Sequence, residues 1–303
     1  AAVAASVGDG WRGGGHAAYL GGDKVLLSER APRAPLNGPL ERHFGKVTIR
    51  EAATLKTLET YSTHGVDPHE IQLIEGGRYL VAANYGSLPD LKSRDLTVPR
   101  QVIDASITVI DMHDGSLVDK YRTGASDIEL RHLASGRLDR IFAIQARLGD
   151  DEAVRGVERG VDEVYHFDIT TEPGSNYLPA ATLRYDAKKK SATRMGGRAE
   201  TAMMRHGLSI IYDERSDQAI ATYPTAHRVM AFDGASGAVT AIIDTSRMGL
   251  RYPCGVALLP DGTHYAVTGY WENLFVFERR SHQLVRELCQ YPVFFGHSHI
   301  SVG

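Results

Sequence analysis

Cysteine is nearly missing from this chain. Cys254 and Cys289 are the only two among 303 residues, too few for a disulfide framework, and they can form one bridge or remain free thiols. Long apolar runs are missing as well. No window approaches the roughly 18 consecutive apolar residues of a spanning helix, which excludes helical passage through a membrane. Charge of one sign is not in excess: 34 basic and 37 acidic residues give a formal net charge of -3, with no basic stripe to hold nucleic acid. The lysine run Lys188 to Lys190 lies in a polar stretch and is expected to be a solvated loop. No G-x-S-x-G, H-E-x-x-H or P-loop sequence occurs, so the common serine-hydrolase, zinc-protease and nucleotide-phosphate chemistries have no motif and the chain leans away from being an enzyme. The glycine-rich "GDGWRGGGH" does not sit between a strand and a helix, which leaves a phosphate role weak. Helical periodicity is almost absent, with one short turn expected at "TAMMRHG".

What is present is hydrophobic material, 43% of the chain, and a repeated pattern. In "HGVDPHEIQLIEGGRYLVAANYG" (64–86), Ile71, Leu73, Tyr79 and Val81 alternate about a Gly76-Gly77 turn, as in a hairpin. Similar hairpins open at His16, His132 and His206, and at Cys254 with cysteine in place of histidine; "GHSHISV" from Gly296 is a partial copy. A second strand pair follows each complete copy: "GKVTIREAATLKTLETY", "SITVIDMHDGSLVDKYRT", "DEVYHFDI", "HRVMAFDGASGAVTAIID" and "NLFVFERRSHQLVREL". Aspartates in "VIDMHDG" and "AFDGASG" suit tight turns, since Asp bonds its own backbone and Gly supplies positive φ. Four strands per unit, at a spacing of roughly 40–70 residues, describe an all-β propeller with WD-like blades. The chain, 1–303, is then one propeller domain of six or seven blades. Long inserts fall at 31–45, 86–105, 147–161 and 171–205 as surface loops. Closure requires either that residues 1–12 and 297–303 share a blade or that part of the ring lies outside this chain.

The first strand of a blade lies innermost, so its opening residue borders the central channel. His16, His69, His132, His206 and Cys254 open five such strands, and His297 or His299 opens a sixth in ambiguous register. Glu70 follows His69 into the same mouth. Imidazole and thiolate together suit copper, iron or zinc, and Glu70 could be a ligand or an acceptor that fixes an imidazole tautomer. The alternative is an ordinary polar funnel, with each histidine bonded to backbone and Cys254 a small buried hydrophobe. His43, His113, His166, His264 and His282 are expected at the surface.

Together, "HGVDPHEIQLIEGGRYLVAANYG", "LRHLASG", "HGLSIIYDERSDQAIATYP" with "HRVMAFDGASG", and "CGVALLPDG" resemble the DUF1513 family, a domain of unknown function. The resemblance covers roughly residues 13–270 and is most specific at 64–84. It implies an exported bacterial propeller, seven-bladed when complete, delivered to the periplasm by the twin-arginine route. It also implies a setting of periplasmic iron acquisition, with a metal-handling protein as partner. On this reading the Ala-rich "AAVAASVGDG" is what remains after an export signal is cleaved, or a frayed end. The chain departs from the family pattern by lacking a blade before "GGGHAAYL" and by having Tyr85-Gly86 where the family continues with Gly-Gly.

Three functions are compatible with this reading. The first is a periplasmic propeller holding a transition metal (copper or iron, zinc possible) or a metal-bearing partner at the channel mouth through His16, His69, Glu70, His132, His206, Cys254, His297 and His299. The second is a non-catalytic interaction scaffold using the rim loops 31–45 and 86–105. The third is a hydrolase like the calcium lactonase propellers, with Glu70 and Asn84 as its candidates.

Overall fold

The computed structural model describes residue 8 and residues 10–32, 34, 38–88, 101–148, 178–270, 272–294 and 300. Alternating apolar residues and turn-forming Asp and Gly fold this chain into five four-stranded antiparallel sheets. The first contains β1 (Arg12–Gly21), β2 (Lys24–Arg30), β3 (Phe44–Glu51) and β4 (Thr57–Val66). The second contains β5 (Pro68–Ile74), β6 (Tyr79–Asn84), β9 (Ser106–Asp111) and β10 (Leu117–Arg122), with a small ribbon of β7 (Ser87–Leu88) and β8 (Gln101–Val102) inserted between β6 and β9. β11 (Ile128–Arg137), β12 (Arg140–Arg147), β13 (Leu183–Asp186) and β14 (Ser191–Arg194) form the third. The fourth contains β15 (Ser209–Asp213), β16 (Gln218–Tyr223), β17 (Arg228–Asp233) and β18 (Val239–Asp244), and the fifth β19 (Pro253–Leu258), β20 (His264–Gly269), β21 (Glu272–Glu278) and β22 (Gln290–Phe294).

Each sheet is a meander whose first strand is an edge, and these edge strands touch in succession: β1 with β5, β5 with β11, β11 with β15, β15 with β19. This is the radial arrangement of propeller blades, with the first strands innermost. The core is divided among the faces between blades. Leu26, Val47, Ile71 and Leu80 fill the first face, and Val81, Val109, Leu133 and Tyr185 the second. Phe142, Met204, Tyr223 and Phe232 pack in the third, and Ile220, Val256, Tyr265 and Phe277 in the fourth. The turns follow the expected chemistry: Gly76 and Gly77 take φ 70° and 88°, and the Asp111 carboxylate accepts the His113 amide at 2.9 Å.

Three expectations need correction. The outer pair of the third blade is Leu183–Asp186 with Ser191–Arg194, whereas "DEVYHFDI" lies outside the described residues. Leu183 and Tyr185 point inward and are buried, but β14 is an almost wholly polar edge strand without apolar alternation. Lys188 to Lys190 form the exposed turn between them. The outermost strand of the fifth blade begins only at Gln290: after a bridge between Phe277 and Leu284, a 3-10 turn at Arg286–Leu288 interrupts the pairing. An outer strand has one neighbour and tolerates such a break. His43, expected at the surface, is 3% exposed in the turn leading into β3. Gly296 to His299, and with them the closing strand, lie outside the described residues.

Candidate metal centre

Four of the innermost strands are irregular where they meet the channel mouth, three of them at a histidine. In β1 the register slips between Gly13 and Ala17, in β5 between Pro68 and Ile71, and in β11 between Leu130 and His132. Such an irregularity adds a residue to one strand, two in β1, and re-aims its side chains. Here it brings His16, His69 and His132 together, each offering a ring nitrogen within 4.8 Å of the others. Their ring centroids are 4.7, 4.9 and 5.2 Å apart, all edge-on. The histidines do not hold one shared register position. Counted from the last regular pair before each slip, His69 comes first, His132 second and His16 third.

Hydrogen bonds fix two of the imidazoles. A backbone carbonyl can only accept, so His69 donates Nδ1–H to Gly14 O at 2.7 Å. Arg30 Nη2, 3.3 Å from the same Nδ1, donates instead to Gly14 O at 3.2 Å. His132 donates Nδ1–H to Glu70 Oε2 at 2.9 Å. With Nδ1 as the donor, Nε2 is the ligating atom of each ring in its neutral form, the protonation state that a metal requires. Burial, then the neighbouring His132 and His16 rings, press the pKa of His69 down from 6.5 to about 2, so it stays neutral at physiological pH. Glu70 is itself held: Oε2 accepts the Leu133 amide at 3.1 Å and Oε1 accepts Gln72 Nε2 at 3.3 Å. Gln72 also ties blade two to blade three, donating to Leu133 O at 2.9 Å and accepting from Ser135 N at 2.8 Å.

The other expected members stand apart. His206 precedes β15 in a left-handed conformation, φ 56°, and lies buried with Nε2 3.5 Å from Arg131 Nη1. Cys254 occupies a bulge in β19 comparable to that of His69, yet its side chain is fully buried among Leu208, Tyr252 and Tyr270. Both cysteines are free thiols. His297 and His299 lie outside the described residues. Asn84, considered for hydrolysis, is wholly buried, its amide nitrogen bonded to Ser106 O at 3.3 Å and Thr108 Oγ1 at 3.2 Å.

Several residues around the centre were not singled out by their sequence. Tyr85 stacks on His69, with centroids 4.6 Å apart and planes 17° apart. The guanidinium carbons of Arg30 and Arg131 lie 5.6 and 5.5 Å from the Tyr85 ring centre. Each arginine has a carboxylate, Asp67 at 2.7 Å and Glu129 at 2.9 Å, and Ser87 Oγ donates to Glu129 at 2.6 Å. The glycine run also has a role. Gly15 has φ 122°, and a Cβ there would lie 2.5 Å from the His69 ring, so a side chain would displace the imidazole. The signals available were the "GGGH" run and the Pro before His69; nothing local marks Arg30 or Arg131 as neighbours of Tyr85.

Among the described residues, no helix is long and apolar enough to cross a membrane. Known folds resemble this one at low identity. The β-propeller domain of Cps50 (Swd1) from Myceliophteria thermophila aligns with a TM-score of 0.54 at 14% identity, over 89% of this chain and 69% of that one. A chain of the Mitotic Checkpoint Complex aligns with a TM-score of 0.51 at 8% identity, over 86% of this chain and 61% of that one. These likenesses establish the β-propeller fold. No curated protein matches the chain in sequence. The profile of a family described as "Protein of unknown function (DUF1513)" matches residues 15–300, and the chain belongs to that family.

Proposed function

We propose that this propeller binds a transition metal ion at the mouth of its channel through His16, His69 and His132, with Glu70 orienting His132. The supporting observation is the convergence of three imidazoles with two of them oriented by Nδ1–H bonds, to Gly14 O and to Glu70, which makes Nε2 the ligating atom of each of those rings when neutral. Carboxylate–histidine–metal relays use this arrangement to fix the ring and raise its basicity. An imidazole set without thiolate suits copper, iron or zinc. Tetrahedral binding at about 2.0–2.1 Å places ligand nitrogens roughly 3.4 Å apart, so small ring rotations close the set on an ion. The family resemblance carries the periplasmic setting and the metal-handling partner; cell fractionation tests the first and co-purification the second. Metal analysis of protein purified without chelator or affinity tag tests the binding itself. One ion per chain is expected, lost in His69→Ala/His132→Ala with unchanged circular dichroism. Unchanged metal content in that variant contradicts the proposal.

A second reading, an interaction scaffold, draws on the β7–β8 ribbon inserted in the second blade, whose Ser87 bonds Glu129 beside the centre and whose Val102 packs with Ala146 and Leu148. It predicts a partner whose binding survives removal of the three histidines. The lactonase-like reading gains no support, because Glu70 is engaged with His132 and Asn84 with Ser106 and Thr108.

A further inference from the structure

Resting on the metal reading, we infer that Tyr85 is a positioning residue of the centre: its ring, fixed by groups from three blades, holds the plane of the His69 imidazole and so the setting of its ligating nitrogen. One hydrogen bond aims that imidazole without locking it. The bond from Nδ1 to Gly14 O, 2.7 Å long, still lets the ring swing about the N–H···O axis. Two contacts oppose the swing. The Gly15 backbone closes on the Cε1–Nδ1 edge, since a Cβ there would lie 2.5 Å from both atoms. The Tyr85 ring lies along one face, with centroids 4.6 Å apart and planes 17° apart. A stack so near to parallel resists tilting, because a tilt drives one edge into the facing ring and opens a gap at the other.

Tyr85 can act this way because it is itself held. Its amide donates to Asp67 O at 2.9 Å and the Gly86 amide to Val66 O at 2.9 Å, which pins residue 85 to the link between the first two blades. Gly86 has φ 74°, a Cβ there would lie 1.9 Å from Ala105 N, and its carbonyl accepts the Ile103 and Asp104 amides at 2.7 and 3.1 Å. The backbone on that side therefore has no room to shift. The guanidinium carbons of Arg30, from the first blade, and Arg131, from the third, lie 5.6 and 5.5 Å from the Tyr85 ring centre, within the range of a cation–π contact. Asp67 and Glu129 neutralise these arginines and keep them in place. Asp67 thus fixes Tyr85 twice, through its carbonyl to the amide and through its carboxylate to an arginine beside the ring.

The full chain, stripped of metal, is titrated with zinc against a chromogenic chelator as wild type, Tyr85→Phe and Tyr85→Leu. Tyr85→Phe keeps the flat face and should bind zinc within about twofold of wild type, whereas Tyr85→Leu should bind about 3–10-fold more weakly, the strength of one stacked pair. In NMR spectra of the metal-free proteins, the His69 Cε1 proton, assigned by its loss in His69→Gln, should keep its shift in Tyr85→Phe and move in Tyr85→Leu. Equal zinc affinity in all three proteins, equal loss in both variants, or an unmoved His69 signal in Tyr85→Leu overturns the positioning role and leaves the metal site standing. No zinc binding by the wild type overturns the metal reading and this inference with it. Circular dichroism checks the fold of each variant, and Tyr85→Met replaces Tyr85→Leu should the latter not fold.

Discussion

His132 of the third blade donates Nδ1–H to Glu70 of the second across 2.9 Å, and Glu70 accepts the Leu133 amide with the same oxygen. The His69-Glu70 pair, just after the first residue of β5, thus faces two ways, with His69 reaching back to Gly14 in the first blade and Glu70 forward to the third. Removing the carboxylate should free the His132 ring without removing a ligand. Glu70→Ala is expected to weaken metal affinity by about 10–100-fold, measured by competition with a chromogenic chelator. Glu70→Gln, whose amide oxygen can still accept the Nδ1–H, should recover part of that loss. Equal affinity in all three proteins would show that the relay does not orient the ring.

Gly15→Ala tests the close approach behind His69. The substitution meets both a positive φ and a 2.5 Å overlap with the ring. It should cost about 1–3 kcal/mol of stability and also lower metal retention, because the imidazole must move. Denaturant midpoints and metal content check both effects; a stable variant that still holds metal would show that this backbone position is not constrained.

Acid should destabilise the metal-free protein through His69. Its folded-state pKa is depressed from 6.5 to about 2, so below pH 6.5 the unfolded chain binds a proton that the folded one does not. The stabilisation is complete above 6.5 and falls as pH drops from there toward about 2. One such group gives about 1.4 kcal/mol per pH unit, hence about 2 kcal/mol between pH 7 and pH 5. Urea unfolding at the two pH values measures it, and His69→Gln should flatten the dependence by that amount. An identical slope in the variant would mean that His69 titrates normally.

Packing between blades is tested far from the centre. Phe232 is fully buried with Phe142 and Tyr223 on the face between the third and fourth blades. Phe232→Ala should cost about 3–5 kcal/mol in equilibrium unfolding and leave metal stoichiometry unchanged. A loss under about 1 kcal/mol would contradict the account of this core.

The blades were legible because turn chemistry and apolar alternation recur together. Gly76-Gly77, Asp111 and Asp233 mark turns where the structure has them, and the strands around them carry the apolar residues read there, although inner stretches such as Leu80–Asn84 and Val229–Phe232 are buried on both faces. The outer pair of the third blade was not found because it follows a long insert and ends in a polar strand, Ser191–Arg194, whose one apolar residue is Ala192. Within the centre, histidines expected to open the first strands pointed to the channel, but His16 and His132 are each the fifth residue of their strands, and their facing depends on bulges that strict period-two counting cannot locate. Hence His16, His69 and His132 converge from different registers, while Cys254, in a bulge like that of His69, packs against Leu208 and Tyr252. Arg30, Arg131 and Tyr85 could not be found from local sequence, because what gathers them is the contact between blades.

X-ray absorption at the edge of the bound metal tests the central claim most directly. The account predicts a first shell containing three imidazole nitrogens, with their outer-ring scattering, at about 2.0–2.1 Å for zinc. A shell without imidazole scattering, or one containing sulfur near about 2.3 Å from Cys254, would contradict it.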